Sequence, residues 1–378
     1  MVDLMPSNAL DYITIQGFKS IASIEKLALR PINVVIGANG SGKSNFIGVF
    51  GFLDEIREGK LGDYVTVAGG AEKLLHFGSK TTKEICIRLH FANDGAFYEL
   101  KLAPTSEDSL FPSDEGVRPD LEGSPYKDGD FGYVLDSRQQ GREAAISDPE
   151  PGGIAEWAAK RLSRWRVYHF NDTSSSSPIR KTSRVDDNRF LRPDGANLPA
   201  FLYLLRQRHP ESYRLIARTV QRAAPFFDDF RLDPTELNPE YIKLEWRHKK
   251  SDQTFGASSL SDGTLRFIAL ATLFLQPEPF HPSVILVDEP ELGLHPYALG
   301  LLASLIRQAS VTTQVIVSTQ SSLLLDHFDP EDILVADCVD GGTQLTRLES
   351  EPLKRWLEDY SLGQLWEKNE LGGRPAPV

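Results

Sequence analysis

The sequence predicts an α/β fold: a mixed central sheet, an antiparallel β subdomain and an inserted helical lobe. Three observations carry this. The runs VILV (284–287) and VIV (315–317) are short and continuously apolar, and PINVVI (31–36) is apolar but for Asn33, the pattern of strands buried on both faces of a parallel sheet. Stretches near the N-terminus instead alternate apolar and polar residues, as strands with one solvated face do. The strand and helix rhythm stops near residue 105 and resumes near 240, so the two ends of the chain should build one sheet split by the middle.

Taken in order, YITIQGFKSIASIEKLALRPINVVIG (12–37) reads as two or three short strands, and a helix should follow its glycines from about 43 to 57. EICIRLHFANDGAFYELKLA (84–103) reads as a hairpin turning at Asn93-Asp94-Gly95. Residues 10–105 are thus expected to form the N-terminal part of the α/β unit. Residues 106–153, rich in Pro, Gly, Asp and Glu with little periodicity, read as an extended, acidic, partly mobile insertion. Residues 154–239 are expected to form a basic, partly helical lobe: a strand in RLSRWRVYHF, an exposed loop in NDTSSSSPIRKTSR, helices near 197–208 and 210–224, then a strand in FRLDP. Residues 240–340, opening on a strand in YIKLEWRHK, are expected to complete the α/β unit, and 341–378 are a tail.

The chain has 378 residues, 40% of them apolar, enough for one large core or two moderate ones. Its two cysteines, Cys86 and Cys338, lie far apart and outside metal-ligand spacing, as expected of reduced thiols in a cytosolic protein. MVDLMPSNALDY lacks the basic start and apolar stretch of a secretion signal, and no window approaches the roughly 18 apolar residues of a membrane span. A soluble, cytoplasmic protein without membrane contact is the expectation. The net charge of −12 argues against indiscriminate binding to phosphate backbones, yet residues 157–222 hold fourteen Arg and Lys against five Asp and Glu, a local +9.

GANGSGKSN (37–45) satisfies G-x-x-x-x-G-K-S between a strand and a helix. Gly37, Gly40 and Gly42 let backbone N–H groups curl around phosphate oxygens, and the helix N-terminus adds its dipole. Lys43 would reach the β and γ phosphates of ATP, and the Ser44 hydroxyl would ligate Mg²⁺. SVILVDE (283–289) is an apolar strand ending in two carboxylates, of which Asp288 is assigned to the metal and Glu289 to the attacking water. Such a pair by itself is also an ordinary surface turn. LSDGT (260–264) stands 27 residues before Asp288, counted from Ser261, and its Ser261-Asp262 would equally serve as an N-cap.

In that order the three segments resemble the ABC-type ATPase superfamily. GANGSGKSN is similar to the Walker A of the SMC, RecF and OLD branch, where Asn39 and Asn45 stand at usual asparagine positions. LSDGT is similar to that branch's signature loop, and VILVDEPELGLHP to its Walker B with the following D-loop, here Leu292 to Pro296. The best overall resemblance, over about 10–105 and 240–337, is to compact OLD-like AAA ATPases without a nuclease domain. It implies an ABC-type P-loop ATPase head using ATP and Mg²⁺. It also implies a homodimer in which Ser261 and the Gly263 N–H complete the partner's site. VSTQSS places Gln320 where many relatives have a switch histidine; glutamine donates but carries no charge, which implies slow or partner-dependent turnover. No glutamine is assigned to the Q-loop. His295 precedes a proline and reads first as structural.

For the role of such an ATPase, transport is disfavoured by the missing membrane segment and by a signature unlike LSGGQ. A full SMC protein is disfavoured by the absence of coiled coil between Lys43 and Ser261. One expectation is a nucleic-acid clamp or sensor (DNA or RNA) that controls a separate nuclease or other effector in genome maintenance or anti-phage defence. Arg164, Arg166, Arg180, Lys181 and Arg184 would meet phosphates, and Trp165 and Tyr168 would stack on bases. Equally, such a basic lobe would balance the acidic remainder or form salt bridges across a dimer. A second expectation is a protein-assembly switch that touches no nucleic acid, with Trp356 and Trp366 as partner anchors or as core packing.

Overall fold

The structure, a computed structural model, describes residues 9–91, 96–119, 133–134 and 143–373. Its central sheet has six strands in the order Gly342–Arg347, Ile333–Val339, Ile32–Ile36, Gln314–Ser318, Val284–Asp288 and Trp165–Tyr168. Only the first pair is antiparallel, so the sheet is mixed and drawn from both ends of the chain.

The apolar runs follow from the sheet's position between two cores. Successive side chains of a strand point to opposite faces, so Val34, Ile36, Ile285, Val287, Val315 and Val317 enter one core. Val35, Val284, Leu286 and Ile316 enter the other. The first core is closed by the helices Leu198–Arg208, Pro210–Ala223, Asp262–Leu275 and Pro296–Ala309. Asp262–Leu275 buries every residue from Leu265 to Leu275, a helix wrapped by neighbours on all sides.

The second core lies between the central sheet and an antiparallel sheet ordered Ile21–Ala28, Leu10–Phe18, Ile85–Phe91, Ala96–Pro104, Leu110–Pro119, Tyr133–Val134. Helix Lys43–Arg57 runs between them and buries Phe46, Ile47, Val49, Phe50, Phe52, Leu53 and Ile56, more than one face of a helix. The fully buried Gln314 joins the two chain ends: its Oε1 accepts from the Leu10 N–H at 3.1 Å, and its Nε2 donates to the Leu10 carbonyl at 2.9 Å.

The acidic insertion departs from expectation. Residues 110–119 form a full strand against Ala96–Pro104. Its acids are spent internally. Buried Glu115 accepts from the Tyr98 hydroxyl and the Ala145 and Ile146 N–H groups, at 2.9, 2.7 and 3.1 Å. Glu99, Asp114, Lys101, Arg88 and Arg118 form a cross-strand ion network. Alternation was hidden because both faces of this strand carry polar groups with partners. Residues 120–132 and 135–142 of the insertion and the turn at Asn93-Asp94-Gly95 lie outside the described residues.

In the basic lobe the two helices are joined by small sheets: Phe227–Arg231 with Glu245–His248 and Thr254–Gly256, and Ser183–Arg184 with Pro234–Thr235 and Asn238–Ile242. Among the described residues no helix is long and apolar enough to cross a membrane. Cys86 is buried and Cys338 exposed, both as free thiols.

Candidate functional site

Parallel register brings three loops to one edge. Asp288 pairs with Ser318, and Ser318 with Val35, so the carboxyl ends of three adjacent strands are level. Ligands of open α/β sheets bind at such an edge. The chain leaves it as the loop 37–42, the turn after Asp288 and the turn after Ser318.

The first loop is a cradle of backbone. Gly42 has φ +99, and a Cβ there would lie 1.9 Å from Thr343 Oγ1. Gly37 is equally confined, by Ala336 O and Ser41 Oγ, while a Cβ on Gly40 would meet nothing within 4 Å, leaving an open side to the loop. Lys43 folds back, and its buried ammonium donates to the carbonyls of Gly37 and Ala38 at 2.6 and 2.9 Å. Burial lowers its pKa, while Glu289, Asp288 and Glu291 act in the opposite direction. Ser41 Oγ is enclosed and has no partner among the described residues. An orphaned hydroxyl, a charged lysine and glycine-only backbone fit a polyphosphate. Ser44 and Asn39 are exposed at the mouth. Asn45 differs: its amide donates to Ser20 Oγ at 2.7 Å, and Ser20 bonds Thr343, so it braces the loop from beneath.

The acids stand across from Lys43. Asp288 accepts from the Ser318 hydroxyl, and Glu289 accepts from the Gln320 side-chain amide. Glu289 has φ +47, an unusual conformation for a non-glycine residue, held by its N–H donating to Ser318 O at 2.9 Å. Glu291 joins them: its carboxylate accepts from the Gln320 N–H at 3.0 Å. Burial raises its pKa, with the Thr319 hydroxyl and Gln320 amide pulling the other way. Glu291 escaped sequence reasoning although VDEPE displays it, because a third acid after two assigned ones had no role left. The donor set of Ser44 hydroxyl and Asp288 carboxylate suits a hard cation such as Mg²⁺.

Ser261 and Gly263 line a separate cavity of about 110 Å³ with Thr264, Gly293, Leu294 and His295. Ser261 caps its helix, accepting from the Thr264 N–H at 3.2 Å. Gly263 lets the backbone pass Gly293, since a Cβ would sit 2.0 Å from Gly293 O. His295 caps the next helix through Tyr297 N–H at 3.2 Å. Arg266, missed from sequence, is buried in the signature helix. Its guanidinium donates to the carbonyls of Phe170, Asn171 and Leu292, tying the turn at Leu292 to the helix Asp262–Leu275.

The anticipated nucleic-acid set does not stay together. Arg180 is turned inward with a side chain only 9% exposed. It donates to the carbonyls of Thr173, Ala257 and Leu260 and pairs with Asp262 at 2.7 Å, so it holds the signature loop. Trp165 and Tyr168 are core residues, Trp165 packing on Phe50 at 5.4 Å, and cannot stack on bases. Their strand lies beside a buried one: Trp165 fills the space under helix Lys43–Arg57, while Tyr168 enters the opposite core beside Phe170. Arg184 pairs with Asp186 at 2.9 Å on the surface, and Lys181 reaches Ser175 O at 3.3 Å. Arg164 and Arg166 line one cleft. In the tail, Trp366 packs on the core while Trp356 is 44% exposed.

Comparison with known proteins agrees with this geometry. Residues 32–326 match the family model described as "AAA domain, putative AbiEii toxin, Type IV TA system". An SMC head bound to the C-terminal winged-helix domain of ScpA is 18% identical, with a TM-score of 0.59 over 92% of this chain and 99% of that one. The Pyrococcus furiosus SMC head with an extended coiled coil, bound to the C-terminal domain of ScpA, is 16% identical, with a TM-score of 0.60 over 94% and 99%. These likenesses concern the fold. Urease accessory protein 2 of Cryptococcus neoformans is 26% identical over 250 residues, 58% of this chain; the match spans 20% of that protein's length. The chain belongs to the AAA-domain family of that description, and it is built on the fold of an SMC head.

Proposed function

We propose that the chain hydrolyses ATP, dimerises around it, and gates a nucleic-acid-related activity carried by a separate nuclease or other effector in DNA repair or anti-phage defence. The observation that carries the reading is the convergence of Lys43, Asp288 and the Glu289–Gln320 pair at the level ends of three parallel strands. Lys43 exchanges its two loop carbonyls for the oxygens of the β and γ phosphates. Backbone N–H groups of the loop, with Gly37, Asn39, Gly40 and Gly42, surround the rest. Ser44 and Asp288 would hold Mg²⁺, which supplies charge neutralisation on the phosphates. Glu289, oriented by the Gln320 amide, accepts a proton from the attacking water. The neutral amide adds no positive charge there, so turnover is slow.

Ser261 and Gly263 of one copy would complete the site of the other. Support comes from the exposed apolar residues on the D-loop side, Leu292 at 41% and Tyr297 at 55%, which a dimer would cover. For nucleic acid the support is the excess of Arg and Lys in residues 157–222.

A second reading, a protein-assembly switch without nucleic acid, draws on exposed Trp356, whose ring lies 6.1 Å from that of Tyr360 on the tail. The solved SMC heads bound to ScpA domains are relatives in fold that engage a protein partner.

The test is nucleotide binding and mass in solution. Lys43→Ala should abolish ATP binding, and Glu289→Gln with ATP should accumulate as a dimer. Unchanged ATP affinity in the first, or a monomer in the second at saturating ATP, would refute the corresponding half of the proposal. Binding of labelled DNA and RNA by the trapped dimer separates the two readings.

A further inference from the structure

We infer that a second ligand site lies at the end of the central sheet opposite the Lys43 loop: a cleft that takes a nucleotide unit of single-stranded nucleic acid. This rests on the nucleic-acid reading above and relocates its point of contact. The cleft encloses about 320 Å³ and is lined by Arg164, Arg166, Phe190, Phe280 and His281 among others.

Its arginine mouth stands away from the Lys43 loop, while its wall follows the edge strand as far as Tyr168, which pairs with Val287. Ser283 N–H donates to the Arg164 carbonyl at 2.8 Å, just before Val284 pairs with Trp165, so Arg164 and His281 stand where two parallel strands begin. Asp288 stands where one of them ends. Four steps of about 3.3 Å put some 13 Å between Val284 and Asp288. The strand Trp165–Tyr168 is also the edge of the sheet, with Val284–Asp288 as its sheet neighbour.

The lining has the chemistry of a phosphate next to a ring. Arg164 is exposed, and its guanidinium makes no ion pair or hydrogen bond among the described residues. Arg166 is fixed by donating to the carbonyls of Ser163 and Trp165, both at 2.6 Å, and lies 5.0 Å over the Phe190 ring. Phe190 nevertheless remains 42% exposed. Phe280 is held edge-on by Phe201 at 5.4 Å, which makes it a fixed wall. No carboxylate is among the lining residues; Glu278 stands just outside and is felt by His281. Burial lowers the His281 pKa, disfavouring its charged form, and its Nε2 is enclosed without a partner among the described residues.

An acidic peptide would use the arginine and leave the exposed ring idle. A base attached to a phosphate uses both, since arginine meets the phosphate and a phenyl face accepts any base. The volume sits at the small end of ligand pockets, about 300–1,000 Å³, room for one unit. The base must be unstacked to enter, which selects single strands over duplex.

The test is fluorescence anisotropy of the full chain with ATP and a labelled oligo-dT, over a series of salt concentrations. Thermal melting checks that each variant is folded. Arg164→Glu should weaken binding at least tenfold and flatten the salt slope by about one, whereas Phe190→Ala should weaken it about tenfold with the slope unchanged. Arg164→Lys should recover most of the affinity. If oligo-dT binds the wild type and both variants equally, the cleft assignment fails while the nucleic-acid reading stands. Should the wild type bind no nucleic acid in any nucleotide state, both fall. Displacement by dTMP at equal monomer concentration, or by poly-Glu, would overturn the strand as the ligand.

Discussion

Replacing Arg180 by alanine separates a structural arginine from a phosphate-binding one. The side chain makes bonds to Thr173 O at 2.7 Å, Leu260 O at 3.3 Å and Asp262 at 2.7 Å, and one to Ala257 O. Truncation strips three carbonyls of a charged donor at a site where the guanidinium is nearly enclosed. Charged hydrogen bonds contribute about 1.5–3 kcal/mol each, but water reaches the vacated space, so a net loss of about 3 kcal/mol is expected. Unfolding entropy near 2.1 cal/mol/K per residue gives about 0.8 kcal/mol/K for 378 residues, hence a Tm lower by about 4 °C. Calorimetry of wild type, Arg180→Ala and Arg180→Lys measures this. The lysine variant should stay close to alanine, because one ammonium cannot span the same carbonyls. If Arg180→Ala melts with the wild type yet flattens the salt dependence of nucleic-acid binding by one, Arg180 faces phosphate and the structural argument is wrong.

Other consequences are smaller but sharp. Gly42→Ala forces a side chain into a left-handed backbone and onto Thr343, so ATP affinity should fall at least tenfold in a titration, and an unaltered affinity would mean the loop is free to rearrange. Glu291→Gln tests a carboxyl whose pKa is raised by burial. The ionised form is the one the fold disfavours, so the penalty is full above the folded pKa and absent below the unfolded value near 4.3. The variant should therefore gain Tm at pH 8 relative to wild type and lose that gain at pH 4; a gain equal at both would contradict it. A disulfide-exchange reagent at pH 8 should label one thiol per folded chain, exposed Cys338, while Cys86, buried and pushed up to about 11, reacts only on unfolding.

Legibility in the sequence followed locality. Helix Lys43–Arg57, the strands Ile85–Phe91 and Ala96–Pro104, and the pair of helices at Leu198–Arg208 and Pro210–Ala223 were readable because their patterns are complete within one window. The strand Leu110–Pro119 was not, since its acids look solvated until Tyr98, Arg118 and the Ala145 and Ile146 amides are seen to meet them. The site showed the same division. Lys43, Asp288, Glu289 and Gln320 stand in motifs where residue type and spacing carry the chemistry. Glu291, Ser41 and Arg266 matter through what surrounds them.

By itself, then, the sequence determined the glycine-rich loop, the acid-ended strand and the alternation of buried strands, because short-range spacing dictates backbone shape and which residues share a face. Only the tertiary structure decided that Asp288, Ser318 and Val35 are level, since register between strands far apart in the chain depends on how two cores pack around them. It also decided the fate of the arginines. Charge along a chain is additive, but whether a guanidinium reaches solvent depends on which carbonyls the fold places beside it, and Arg180 was turned inward while Arg164 was left outside.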